Sequence, residues 1–116
     1  MKTLAMTLAV TLSVVSLDTM SDWAVKGEGN FSCPDYVAAK RSNTAKLYSS
    51  ATWVQGFISG LNYQAALEEG ADSFVGQEFP ATSIVSWLEN YCREQPQDYL
   101  SDAAEALVIE LRERQE

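Results

Sequence analysis

From Tyr48 to Glu69 the apolar residues Trp53, Val54, Phe57, Ile58, Leu61 and Ala65 recur at helical spacing on one broad face, which predicts a long central helix. Ahead of it, FSCPDYVAAKRS predicts a short helix over about 34–41, because Pro34 suits a first helical position and Asp35 the first turn. The polar stretch SNTAKLYSS between the two supplies capping residues. Residues 68–81, EEGADSFVGQEFPA, hold two glycines and a proline without a sustained period and read as a connection. Thr82 or Ser83 then caps a helix whose apolar positions Ile84, Val85, Leu88, Tyr91 and Cys92 end at Pro96. A last helix starts near Asp98 or Ser101, with Leu100, Ala103, Ala104, Leu107, Val108 and Leu111 at i, i+3, i+4, i+7, i+8 and i+11. No segment alternates as a strand. The expected fold is all-α, a small bundle of about four helices.

The first residues follow a different rule. Lys2 is followed by an apolar run from Leu4 to Leu17 and then by Asp18 and Asp22, the pattern of an export signal. The run is short for a membrane span of about 20 residues. Residues 1–24 are therefore expected to be a removable leader and 25–116 a single helical domain, with no membrane segment in the mature form. Trp23 would leave with the leader or fray at the new N-terminus.

Charge and cysteine content narrow the chemistry. A chain starting at Val25 keeps 7 basic and 14 acidic residues, a net −7. Nucleic acid is excluded as a partner, since phosphate binding needs a basic surface. The chain has no histidine, so its charge changes mainly where carboxylates protonate, and full protonation takes the mature chain from −7 to +7. Cys33 and Cys92 are the two cysteines of an exported chain, and that pairing reads as one disulfide stapling the first short helix to the third. No C-x-x-C and no histidine are present to build a zinc site or a Ser-His or Cys-His nucleophile. Glu68, Glu69 and Asp72 cluster after the central helix, and Asp98 and Asp102 share a face of the last one; both groups read as solvated acidic surface. The chain is expected to be no enzyme and to need no metal or cofactor.

Two features remain. Gly56 and Gly60 lie four apart inside the central helix, where each glycine costs about 1 kcal/mol relative to alanine; close packing of a neighbouring helix or a kink is the expected compensation, and close approach of a ligand or partner backbone is the functional alternative. Trp53, Phe57, Trp87, Tyr91 and Tyr99 are a heavy aromatic load for four short helices. They read first as core, and where exposed as a contact patch for protein.

Taken together, FSCPDYV, WVQGFISGLN and WLENYCREQPQDYL resemble the HdeA/HdeB family of periplasmic acid-stress chaperones and their relatives. The matching positions are Cys33, then Trp53, Gly56, Phe57 and Gly60, then Tyr91, Cys92, Arg93 and Pro96, within a resemblance covering about residues 31–108. It implies an all-α fold with a Cys33–Cys92 disulfide, a periplasmic location, and a homodimer at neutral pH. It further implies that acid loosens this dimer and exposes apolar surface that holds acid-denatured protein clients. Gln95 before the proline, the longer insertion between Cys33 and Trp53 and the strongly acidic charge depart from the family pattern. GFISG followed by WLENYCREQPQDYLSDAAEALVIEL also resembles periplasmic immunity proteins that neutralise type VI secretion effectors, which implies tight binding of one partner. Those proteins often carry a cysteine near the C-terminus, which this chain lacks.

Overall fold

The computed structural model describes residues 23–68 and 70–115. The expected leader, up to residue 22, lies outside the described residues, as does Glu69. Among the described residues four α-helices follow one another: α1 Cys33–Ser42, α2 Thr44–Glu68, α3 Ala81–Glu94 and α4 Leu100–Glu113. Short 3-10 turns lie at Gly27–Asn30 and Ala71–Ser73. The all-α reading holds.

α1 begins one residue earlier than expected, where the Ser32 hydroxyl accepts the Asp35 N–H at 3.3 Å and Pro34 occupies the first turn. α1 and α2 are separated by Asn43 alone, whose extended φ of −148° breaks the helix. Its side-chain oxygen accepts the Lys46 N–H at 3.1 Å and so caps α2, which starts four residues ahead of the expected Tyr48. α3 starts at Ala81 after Pro80, ahead of the expected caps Thr82 and Ser83. Tyr99 precedes α4, and the Asp102 carboxylate accepts its backbone N–H at 2.9 Å, placing a negative charge at the helix start.

One core joins all four helices. Leu47, Ala51, Val54 and Ile58 of α2 meet Ile84 and Leu88 of α3 and Leu100, Leu107 and Leu111 of α4. Cys33 and Cys92 form the expected disulfide and are both buried, joining α1 to α3. The buried Tyr36 hydroxyl of α1 donates to the Val85 carbonyl of α3 at 3.0 Å, and burial pushes its pKa up to about 12. Beside the disulfide, the Cys33 N–H donates to the Asp98 carbonyl and the Leu100 N–H to the Phe31 carbonyl, both at 2.9 Å. This isolated antiparallel bridge ties the entry of α1 to the entry of α4.

The 70–80 connection is anchored. Asn62 of α2 donates its amide to the Val75 carbonyl at 3.0 Å and accepts the Val75 N–H at 2.9 Å, holding the buried Val75 in place. Gly76 has φ +73°, and a Cβ there would sit 3.3 Å from Ile58.

Gly56 and Gly60 do not pack against another helix. Both are exposed, and a Cβ at either would have no heavy atom within 4 Å. α2 buries Leu47, Ala51, Val54 and Ile58, and its glycines fall on the other side.

Candidate functional site

None of the five aromatic side chains expected as core or contact patch lies in the buried centre of the core. Trp53, Phe57, Trp87 and Tyr91 are half-buried at the margin of the core, and Tyr99 is 50% exposed. The half-buried four divide into two clusters on different helices.

The first lies on α2. Trp53 and Phe57 stack one turn apart with ring centroids 5.8 Å apart and planes 15° from parallel. Trp23 covers the same Phe57 ring at 5.6 Å, and its indole N–H donates to Glu105 of α4 at 2.6 Å. In the full chain Trp23 is docked between α2 and α4 rather than frayed. The Trp53 indole N–H donates to the Lys26 carbonyl at 2.6 Å, so residues 23–30 lie as a strap across the cluster. Gly29 is the buried residue of that strap, pressed on the Trp53 ring, which a Cβ there would meet at 2.3 Å. The strap is further held by an ion pair of Glu28 with Lys46, whose ammonium lies 4.2 Å from the centre of the Phe31 ring.

The second cluster lies on α3 and faces α4. Trp87 and Tyr91 stack at 5.2 Å with planes 15° apart. The Trp87 indole N–H donates to Glu110 at 2.6 Å, and the Tyr91 hydroxyl to Asp98 at 2.6 Å. Burial, with the hydrogen bond to Asp98 second, raises the Tyr91 pKa above the usual tyrosine range. Arg114 reaches the same Glu110 oxygen at 3.3 Å and lies 5.8 Å from the Phe79 ring. Trp87, Glu110, Arg114 and Phe79 therefore form one connected edge.

Three carboxylates thus hold aromatic side chains by charge-assisted hydrogen bonds: Glu105 on Trp23, Glu110 on Trp87 and Asp98 on Tyr91. Two belong to α4 and the third lies two residues before its start. Asp98 and Asp102 are committed to Tyr91 and to the Tyr99 N–H rather than to each other. Glu68 accepts from Gln64 at 2.7 Å, and Asp72 lies on the wall of an open groove of about 560 Å³. Phe74, Phe79 and Leu111 give that groove an apolar part, with Glu78 and Arg114 at its charged margin. Among the described residues no three Cys, Asp or Glu side chains converge on a point that would hold a metal ion, and no helix is long and apolar enough to cross a membrane.

The sequence marked the aromatic residues without marking what holds them. Glu105 and Glu110 lie on the polar face of an amphipathic helix, where surface charge is the ordinary reading. Spacing gives no sign that an indole donates to either.

No protein-family model matches the chain, and no curated protein or solved structure is significantly similar to it.

Proposed function

We propose that this chain is an exported, non-enzymatic protein-binding domain of the HdeA/HdeB type, which acid converts into a holder of unfolded clients. The observation that carries the reading is the set of aromatic side chains tied down by Glu110 and Asp98, to which Glu105 adds Trp23 where export leaves that residue on the chain. A carboxylate accepting an indole or phenol hydrogen bond does so best when ionised, and protonation weakens the tie. Of the charged groups near these three, Arg114 shares Glu110, while Asp102 and Glu105 add negative charge around the Tyr91–Asp98 pair. Acid therefore relaxes carboxylate repulsion near Tyr91 while it releases the rings, and the chain passes from net negative to net positive as its carboxylates protonate. Released rings offer large apolar surface to an unfolded chain.

The disulfide suits this role. It keeps α1 and α3 joined while the aromatic margin opens, so that exposure does not require complete unfolding.

The test is a pH titration of the purified oxidised protein from about 7 to 2, following binding of a dye to apolar surface together with sedimentation. Dye binding that rises below about pH 4, accompanied by suppressed aggregation of an unrelated acid-denatured protein, is the expected result. An unchanged dye signal down to pH 2 would sink the acid-triggered reading. It would favour a constitutive binder of one partner, as in the immunity proteins.

A further inference from the structure

The connection between α2 and α3 is pinned from two sides. Asn62 of α2 holds both backbone groups of Val75, and beyond the end of α4 the Gln115 side-chain amide donates to the Phe74 carbonyl at 2.9 Å. The open groove of about 560 Å³ between this connection and the end of α4 is therefore formed before anything enters it. Its apolar part comes from the half-buried Phe74 and Phe79 and from Leu111. Charge at its margin is unbalanced. Arg114 is matched by Glu110 at 3.3 Å, whereas the exposed Asp72 and Glu78 have no ion-pair partner among the described residues.

We propose that this groove binds a short peptide segment of a partner protein in which a lysine or arginine adjoins an apolar side chain. The apolar side chain lies against Phe74 and Leu111, and the cation sits at the margin facing Asp72 and Glu78. Charge selects this occupant. Two carboxylates without a counter-charge favour a cation at the groove, and the net −8 of the chain draws basic segments while repelling acidic ones. The molecule already holds an example of the contact. The Arg114 guanidinium lies 5.8 Å from the centre of the Phe79 ring, so a ring of this groove has a cation over its face. A bare metal ion does not fit the same features, because no three carboxylates converge among the described residues and the floor is apolar. The volume falls within the range of about 300–1,000 Å³ that small ligands occupy, which matches one or two side chains rather than a whole domain. The groove belongs to the folded chain at neutral pH, and it stands whether or not acid releases the rings.

Titration calorimetry of the oxidised protein at pH 7 in about 0.1 M salt tests the proposal. The probe is a short capped peptide that alternates lysine with leucine. It is expected to bind with a dissociation constant on the order of 100 µM. Two comparison peptides separate charge from apolar contact: serine in place of leucine, or glutamate in place of lysine, should weaken binding at least about tenfold. E78K reverses a charge at the groove and should weaken the lysine–leucine peptide at least about fivefold. E94K makes the same change of net charge at the exposed end of α3 and should alter binding by less than about twofold. Helical circular dichroism confirms that both variants are folded. Lack of binding by the lysine–leucine peptide up to about 1 mM would overturn the proposal. So would equal binding of either comparison peptide, an E78K variant that binds as wild type does, or an E94K variant weakened as much as E78K.

Discussion

Gly29 and Gly60 are chemically identical, and their surroundings set opposite expectations for replacing them. A methyl group at Gly29 would meet the Trp53 ring at 2.3 Å and the Val25 side chain at 2.6 Å, so G29A must displace the indole or the strap. It is expected to cost about 1–3 kcal/mol, read by urea unfolding, with a change in tryptophan emission. At Gly60 the methyl enters open space, and G60A should stabilise the helix by about 0.5–1 kcal/mol in the same assay. The sequence shows the helix cost of such glycines, but the helix neighbour expected at Gly56 and Gly60 is absent among the described residues. Tyr36 gives a second expectation at this scale. Its pKa is raised to about 12 by burial, so its stabilising contribution is complete below pH 10 and is lost as pH rises from 10 through 12. Y36F removes the hydrogen bond to Val85, costs about 1 kcal/mol at neutral pH, and should flatten the stability loss between pH 10 and 12 in thermal melts.

Among the elements, α1 depends most on connections to others. It is ten residues long, shorter than an isolated helix needs in water, and it is fixed by the disulfide to α3, the Tyr36 bond to α3 and the bridge to the start of α4. Reduction, or C33S/C92S, frees a 59-residue separation and is expected to lower stability by about 4 kcal/mol in chemical unfolding with and without reductant. The helices and their staple were legible because a 3.6-residue period survives in single residues and the two cysteines allow one intramolecular pairing. The boundaries of α2 were less so. The Ser, Asn and Thr ahead of it read as several caps and a linker, whereas Asn43 alone both interrupts and caps. The Asn62 clamp on Val75 joins positions 13 residues apart through a side chain and a backbone, and no periodic pattern records such a bond.

At the scale of the molecule, the aromatic margin depends on carboxylates gathered on and beside α4. Replacing them tests the proposed acid trigger without acid. D98N/E105Q/E110Q keeps the side-chain shapes and removes the negative charges that accept from Tyr91, Trp23 and Trp87. The triple variant is expected to bind an apolar-surface dye at pH 7 to an extent the wild type reaches only in acid, while far-ultraviolet dichroism stays helical. Unaltered dye binding at pH 7 would count against the aromatic clusters as the acid-opened surface. This margin was hard to read from sequence for a reason visible in Trp23. It follows a leader-like stretch, and only the fold reveals that Phe57 and Glu105 provide its berth.

The position of the disulfide also decides what a protease leaves behind. Residues 33–92 form a closed covalent ring, and α4 hangs outside it as a tail. A single nick at the exposed Glu78 opens the ring yet releases nothing, so the product migrates as one species until it is reduced. A nick at the exposed Glu94 instead severs the tail, and with it all three carboxylates that tie the aromatic rings. Fragments compared on reducing and non-reducing gels therefore separate cuts that leave the molecule in one piece from cuts that set α4 adrift.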